Sequence, residues 1–263
     1  MSDNKFTEFR SLHLRPSPLV LVNVWDAGSA IIVQANGARA LATSSASLAW
    51  SNGYSDGCDI PLDILVDSIS RILRVSKVPL SIDIENGYSD SPDEVAKLVK
   101  KLVDKGVSGV NIEDGETSAE LLAEKILAIK ELCGEDTIFI NARTDVYLRE
   151  LVPAETRLEE CINRLRRYIS SGADGVFVPS LESLDDMSKL SASINAPLNV
   201  MVSSGVSDLE ELTDAGVSRI SLGPVTFIDA YSTLSEISGA SLKAKLPLTL
   251  SYDSLNRMCL NCE

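Results

Sequence analysis

Histidine, cysteine and aromatic residues are scarce in this sequence. Its 263 residues include one histidine and five cysteines, and aromatic residues make up 5% of the chain. Five cysteines without the spacing of a disulfide framework indicate free thiols in a reducing compartment. Cys259 and Cys262 have the spacing of half a zinc site, but a closed site needs two more nitrogen or sulfur ligands, and the single histidine, His13, lies at the far end of the chain. We therefore expect no zinc site there.

Basic residues and long apolar runs are also in short supply. The chain has 24 Lys and Arg against 38 Asp and Glu, which gives a formal net charge of −14. Nucleic-acid binding needs clustered cations, so this balance argues against it. The N-terminal segment lacks the apolar core of a signal peptide, and no apolar stretch approaches the roughly 20 residues of a membrane span. We expect a cytoplasmic protein with neither nucleic acid nor a membrane as its partner.

The sequence is instead rich in a repeated alternation of two patterns. Short β-branched apolar runs predict buried strands, and the amphipathic stretches between them predict helices. The predicted strands are Leu19–Asp26, Ala40–Ser45, Pro79–Glu85, Gly109–Asp114, Ile138–Thr144, Gly175–Pro179, Pro197–Val202 and Arg219–Gly223. The predicted helices are Ala27–Asn36, Leu62–Val75, Pro92–Lys105, Ala119–Leu132, Arg157–Ser170, Leu184–Ser193, Leu209–Asp214 and Phe227–Ser238.

The junctions between these units favour one closed architecture. Three helices end in similar short segments, which contain Gly106, Gly172 or Gly216 and lead directly into a buried strand. Eight such units without a linker predict an α/β protein, a single (β/α)₈ TIM barrel over residues 1–263, with an N-terminal helix or cap at 1–18 and a C-terminal tail at 240–263. The rival is a doubly wound open sheet, but no G-x-G-x-x-G motif follows the first strand.

Polar residues close several of the predicted strands, where a barrel carries its catalytic groups. Asp83 and Glu85 are two apart on one strand and share a face, and Glu113 ends the neighbouring strand. Three carboxylates in one cavity repel one another unless a cation or protons intervene. With no histidine or cysteine near them in the sequence, these oxygen ligands favour Mg²⁺, or Mn²⁺, over zinc. The alternative is that each acid caps a helix or pairs with a surface lysine.

Other residues suggest how a carboxylate substrate binds. Arg143 closes the next strand, and a guanidinium binds a carboxylate by a bidentate contact. Ser44 and Ser45 lie where the second strand ends, in a segment rich in hydroxyl groups, which could hold a carboxylate or an enolate oxygen. Asp56 stands in a glycine-rich segment and is either functional or a simple turn residue. A second hypothesis is a metal-free, phosphate-binding barrel that uses Ser203-Ser204-Gly205 and Gly223-Pro224, but it leaves the acids unexplained.

Six motifs, in this order, resemble the isocitrate lyase and phosphoenolpyruvate mutase superfamily. They are Asn23-Val24-Trp25-Asp26-Ala27-Gly28-Ser29-Ala30, Ala42-Thr43-Ser44-Ser45, Gly53-Tyr54-Ser55-Asp56-Gly57, Asp83-Ile84-Glu85-Asn86-Gly87-Tyr88, Asn111-Ile112-Glu113-Asp114-Gly115 and Asn141-Ala142-Arg143-Thr144-Asp145. The similarity runs from about Phe9 to Pro224.

This resemblance implies a role for each residue of the predicted site. Asp83 is implied to bind Mg²⁺ directly, while Asp56, Glu85 and Glu113 act through metal-bound waters. Arg143 is implied to bind the substrate, and with Asp56 it is expected to be catalytic. The serine segment matching Ser44 and Ser45 is implied to hold the substrate carboxylate and the enolate oxygen. The resemblance also implies a homodimer or homotetramer that exchanges the last helix, Phe227–Ser238.

Two departures from the superfamily pattern limit the reaction. Lyases of this group carry a mobile loop with a catalytic cysteine after the strand-four acid, whereas here Glu113 is followed almost directly by a helix. Glu85 also stands where many members have aspartate. We expect a Mg²⁺-dependent lyase or decarboxylase that acts on a small α-keto or α-hydroxy carboxylate through a pyruvate-like enolate. The alternatives are a phosphoenolpyruvate mutase or phosphonopyruvate type of P–C bond enzyme, which would need cations beyond Arg143, and a non-catalytic α-keto acid-binding barrel.

Overall fold

Parallel strands form the centre of the protein, which we describe from a computed structural model for residues 3–14, 16–202, 209–242 and 249–260. The strands are β1 (Leu19–Leu21), β2 (Asn23–Val24), β3 (Leu41–Thr43), β4 (Leu80–Asp83), β5 (Gly109–Glu113), β6 (Phe139–Arg143), β7 (Gly175–Val178), β8 (Leu198–Met201) and β9 (Val217–Ser221). They form one sheet in the order β1-β9-β8-β7-β6-β5-β4-β3-β2, and every pairing is parallel. Only Val22 separates β1 from β2, so the sheet closes on itself and the predicted TIM barrel is confirmed.

Helices surround this barrel. They are α1 (Asp3–Leu12), α2 (Ala27–Ala35), α3 (Ser45–Ser51), α4 (Leu62–Val75), α5 (Pro92–Asp104), α6 (Ala119–Cys133), α7 (Arg157–Ser170), α8 (Leu184–Ser193), α9 (Leu209–Asp214), α10 (Val225–Ser241) and α11 (Tyr252–Leu260), with a short 3₁₀ helix at Ala154–Thr156. In the described ranges, no helix is both long enough and apolar enough to span a bilayer. The helix predicted at Phe227–Ser238 corresponds to α10 and is followed by α11, so it is not the last helix, and its exchange between subunits stays a prediction.

Helix α5 shows why these segments fold as the sequence predicts. Pro92 occupies the first turn, where its missing N–H costs no hydrogen bond, and acidic residues there complement the helix dipole. Val95, Val99 and Leu102 recur at helical spacing and are fully buried against the barrel. Burial of each such side chain contributes about 1.5–3 kcal/mol.

The prediction of one continuous strand over Leu19–Asp26 is wrong. The strand is interrupted at Val22 because β1 bonds to β9 whereas β2 bonds to β3. The side chain of Asn23 bridges this seam. Its Nδ2 donates to the Thr43 carbonyl at 2.7 Å, and its Oδ1 accepts from the N–H groups of Leu222 and Gly223 at 3.0 and 2.9 Å.

Two further segments differ from the sequence prediction. Ser44 and Ser45 were expected at the end of a strand and in a loop, but the strand ends at Thr43, Ser44 caps α3 and Ser45 is its first residue. The tail at 240–263 contains α11, which no sequence pattern had indicated. The predicted phosphate-binding phrase Ser203-Ser204-Gly205 and the residue Cys262 lie outside the described residues.

Helix α1 covers the barrel at the start of the strands. The ring of Phe9 lies edge-on to Phe139 with centroids 5.5 Å apart, and His13 stacks on the same ring at 4.2 Å. Gly109 is required beneath this helix, since an added Cβ would lie 2.6 Å from a Phe9 ring carbon. The opposite end of the barrel, where the strands finish, is therefore the end that is open to a ligand.

Candidate active site

A cavity of about 450 Å³ lies at the carboxyl ends of the strands. All of the residues that the sequence predicted for the site line this one cavity: Ser44, Ser45, Asp56, Asp83, Glu85, Glu113 and Arg143. The cavity also contains residues that the sequence did not single out, among them Asn111, Arg149, Phe177 and Tyr252. The arrangement brings the predicted acids, the arginine and the serines together, while their roles stay predictions.

Asp83 and Glu85 meet in the cavity for a different reason from the predicted one. Strand β4 ends at Asp83, so strand alternation does not extend to Glu85. The backbone turns instead, with Glu85 in the left-handed region at φ +50°, and the Glu85 N–H donates to Asp83 Oδ1 at 3.1 Å. A non-glycine residue in this region costs of order 1–3 kcal/mol, so the surrounding structure must hold the turn in place.

The buried acids have unusual proton affinities. Burial raises the pKa of Asp83 above its ordinary value, although Arg143 lowers it. Burial and the charges of Asp56 and Asp83 raise the pKa of Glu85 to about 7. Burial raises the pKa of Glu113 to about 8, against the lowering effect of Arg143. Crowded carboxylates of this kind bind protons when no cation lies between them, and a cation would restore their charge.

Arg143 is held in place by two carboxylates. Its Nε and Nη2 donate to the two oxygens of Asp145 at 2.6 and 3.0 Å, and its Nη1 lies 2.7 Å from Glu113 Oε2. A guanidinium has five N–H groups, so these contacts leave some of them for a ligand. The clamp fixes the orientation of Arg143 before a substrate arrives.

Asp114 connects the end of β5, which carries Glu113, to the loop that carries Asp145. It is fully buried and accepts hydrogen bonds from Thr144 Oγ1 at 2.7 Å, Tyr168 at 2.6 Å, Arg164 at 3.0 Å and the Asp145 N–H at 2.9 Å. A buried carboxylate with this many donors makes a rigid support. The sequence offered a signal for it in the acid that follows Glu113, but not its partners.

Helix α11 contributes a residue that sequence reasoning missed. The Tyr252 hydroxyl donates to Asp56 Oδ2 at 2.8 Å, and Tyr252 lines the cavity. Burial and the charge of Asp56 raise the pKa of Tyr252, so its hydroxyl keeps its proton at neutral pH. Asp56, which the sequence left open as a simple turn residue, therefore faces the site.

Cys58 and Arg149 are two further residues near the site that the sequence did not single out. Cys58 Sγ is 3.3 Å from Asn86 Oδ1, and burial and Glu85 raise the pKa of its thiol. Among the described cysteines none lines the cavity. Arg149 does line it and pairs with Asp145 and with Glu116 at 3.0 Å in each case.

The donor set of the cavity fits Mg²⁺ bound largely through water. Within the described ranges, no group of three or more His, Cys, Asp or Glu side chains is arranged so that together they could hold a metal ion. Glu113 is paired with Arg143, and Glu85 accepts a hydrogen bond from Tyr88 at 3.1 Å. Mg²⁺ keeps several waters and often takes one or two carboxylates, so Asp83 as a ligand with the other acids nearby is consistent with the ion.

The fold and cavity define a (β/α)₈-barrel protein whose acids and arginine converge at the carboxyl ends of its strands. The sequence profile described as phosphoenolpyruvate phosphomutase matches residues 9–242. The chain belongs to this family and thereby to the phosphoenolpyruvate mutase and isocitrate lyase superfamily, as its motifs predicted.

Solved and curated relatives agree with this assignment. The chain is similar to a candidate phosphonomutase from Burkholderia cenocepacia J2315, at 39% identity and a TM-score of 0.85, over 89% of this chain and 99% of that one. It is 29% identical over 239 residues to 2-methylisocitrate lyase of Shewanella oneidensis, covering 84% of this chain and 79% of the relative. It is 27% identical over 224 residues to oxaloacetate decarboxylase 2 of Pseudomonas fluorescens, covering 78% and 74%. Members of the superfamily are lyases or mutases.

Proposed function

We propose that this protein is a Mg²⁺-dependent lyase or decarboxylase that acts on a small α-keto or α-hydroxy carboxylate through a pyruvate-like enolate. The observation that carries the proposal is the convergence of Asp83, Glu85, Glu113 and Arg143 in one cavity. Buried acids with raised pKa favour a cation beside them, and the guanidinium favours a carboxylate ligand. The names of the lyase and decarboxylase relatives support the same class of reaction.

The residues of the cavity would bind and orient the substrate. The N–H groups of Arg143 that Glu113 and Asp145 leave unused would bind the substrate carboxylate, and the serine hydroxyls would hold its other oxygens. A bound Mg²⁺ would supply positive charge that offsets the charge developing on the enolate oxygen. With oxaloacetate, the bond to the departing CO₂ breaks, its electron pair forms the enolate, and water protonates the carbon to give pyruvate.

The connection after β5 supports a small substrate. Residues 114–118 join Glu113 to the first residue of α6, and Ser118 already caps that helix by accepting from the Leu121 N–H at 3.2 Å. A segment of this length cannot fold over the mouth of the barrel and carry a thiol to the substrate. We therefore propose a reaction in which the leaving group and the enolate need no cysteine acid.

A P–C bond enzyme is the second candidate. The sequence offered no cation beyond Arg143 for phosphoryl oxygens, but Arg149 lines the cavity as well. The similarity to the candidate phosphonomutase supports the same alternative. Phosphonopyruvate and oxaloacetate should therefore be assayed side by side.

We also propose that the protein assembles with copies of itself. Leu234 and Ile237 lie three residues apart on α10 and are 56% and 62% exposed. Exposed apolar residues clustered on one helix are typical of an interface. Light scattering should give a dimer or tetramer, and a monomer at micromolar concentration would contradict this assignment.

The proposed activity is tested by pyruvate release from oxaloacetate in a coupled lactate dehydrogenase assay. The Mg²⁺-loaded protein should exceed the non-enzymatic rate at the same Mg²⁺ concentration, and excess EDTA should remove the difference. Arg143→Lys serves as the matched variant and should lose activity while the fold is kept. A rate equal to that of free Mg²⁺ would refute oxaloacetate decarboxylation, and turnover of phosphonopyruvate alone would establish the second candidate.

A further inference from the structure

Two side chains of α11 hold Asp56 from both sides. The Tyr252 hydroxyl donates to Asp56 Oδ2 at 2.8 Å, and the Asp56 N–H donates to Asn256 Oδ1 at 2.7 Å. Tyr252 and Asn256 lie 196 and 200 residues from Asp56 along the chain. The contacts therefore join the C-terminal segment to a loop at the mouth of the barrel.

The position of α11 is itself fixed by a tryptophan. Trp50 Nε1 donates to the same Asn256 Oδ1 at 3.0 Å, and the rings of Trp50 and Tyr252 meet edge to face with centroids 5.4 Å apart. Trp50 is buried in a small apolar cluster with Phe227 and Leu255. Because Leu255 lies on α11 as well, packing and hydrogen bonding hold the helix in one orientation on the barrel.

Asp56 keeps one oxygen for another partner. Its Oδ1 is buried and has no hydrogen-bond partner among the described residues, while Oδ2 is occupied by Tyr252. A buried carboxylate oxygen without a donor is costly, which favours a ligand or water at that place. Asp56 lines the same cavity as Asp83 and Glu85.

We propose that Tyr252 and Asn256 are positioning residues of the active site: they hold Asp56 so that Oδ1 receives a hydrogen bond from water or a polar group bound in the cavity. This inference rests on the proposed function, since it assigns the C-terminal helix to the same ligand site. It gives α11 a part in ligand binding beyond its packing on the barrel.

Calorimetry on the full-length protein tests this inference with a pair of tyrosine variants. Tyr252→Phe removes the hydroxyl and keeps the ring on Trp50. Tyr231→Phe is the matched control, because Tyr231 stacks on Phe227 at 4.0 Å and lies outside the cavity wall in the described part of the chain. Each protein is titrated with Mg²⁺ alone and then with oxalate at saturating Mg²⁺.

We expect Tyr252→Phe to weaken oxalate binding by about tenfold or more, the scale of one hydrogen bond to a charged group. Tyr231→Phe should stay within about twofold of wild type, since it removes no contact to the cavity. Asn256→Ala, with an unchanged circular dichroism spectrum, should weaken binding in the same direction because it releases the Asp56 N–H. In oxaloacetate turnover, Tyr252→Phe should lower kcat as well as raise KM.

The outcomes separate this inference from the proposed function. Wild-type protein that binds neither Mg²⁺ nor oxalate would refute the proposed function, and the positioning role would fall with it. If the wild-type protein binds Mg²⁺ and oxalate and Tyr252→Phe binds them with the same affinity, the positioning role alone would be overturned. A lower melting temperature of Tyr252→Phe with unchanged affinity would also overturn it, because it would reduce Tyr252 to a packing residue.

Discussion

Acidification should destabilise the protein through His13, the single histidine. Burial, with the charge of Arg219, lowers the pKa of His13 to about 3, while an unfolded histidine titrates near 6.5. The neutral imidazole therefore contributes stability that is fully present above pH 6.5 and is lost as the pH falls toward 3. Between pH 7 and pH 5 the folded ring stays neutral while the unfolded ring gains a proton. This difference should lower the free energy of unfolding by about 2 kcal/mol.

The environment of the ring explains the size of this effect. Nδ1 lies 2.9 Å from the Phe9 carbonyl, Nε2 has no partner among the described residues, and the ring stacks on Phe139. A charged imidazolium would therefore be buried without a carboxylate. Urea unfolding at pH 7 and pH 5 measures the loss, and His13→Phe, which keeps an aromatic ring in place, is the control. Wild type should lose about 2 kcal/mol more than the variant over this interval, and equal losses would refute the reasoning.

The remaining predictions concern the cavity. Asp83→Ala should abolish Mg²⁺ binding in calorimetry, because a methyl group cannot replace a coordinating carboxylate; affinity like that of wild type would contradict the assignment of Asp83. Arg143→Lys should weaken oxalate binding by about 1–3 kcal/mol, since lysine cannot reproduce the bidentate contact or the clamp to Asp145, and unchanged affinity would mean that Arg143 is structural. The Mg²⁺-loaded protein should not cleave 2-methylisocitrate to pyruvate at an enzyme-like rate, because the connection at 114–118 is too short to bring in a cysteine acid. Turnover near or above about 1 s⁻¹ in the coupled assay would show that another acid replaces the cysteine.

The sequence predicted the parts of the fold and site that depend on local pattern. Asp83, Glu113 and Arg143 could be placed because each ends a buried strand, and the ends of parallel strands in a barrel meet around one cavity. Ser44 reached the cavity as predicted, although it caps a helix instead of standing in a loop.

The features that could not be predicted depend on partners far away in the chain. The break at Val22 follows from the change of neighbour between β1 and β2, which no local pattern encodes. Tyr252 reaches Asp56 only because α11 docks on Trp50, and its segment has neither the length nor the motif that would mark it in advance. The left-handed backbone at Glu85 was missed for a different, local reason, since the sequence there reads as a continuing strand.

The account depends on a cation and an enolate-like ligand binding between the acids and Arg143. A crystal structure of the protein with Mn²⁺ and oxalate tests this most directly, because oxalate mimics the enolate of pyruvate and the anomalous signal of Mn²⁺ locates the ion. The account predicts that the metal peak is in direct contact with an oxygen of the Asp83 carboxylate. The distance from Mn²⁺ to this oxygen should be slightly longer than the roughly 2.0–2.1 Å expected for Mg²⁺. It also predicts that oxalate lies between that ion and Arg143. A metal bound elsewhere, or a cavity that takes up neither Mn²⁺ nor oxalate, would contradict it.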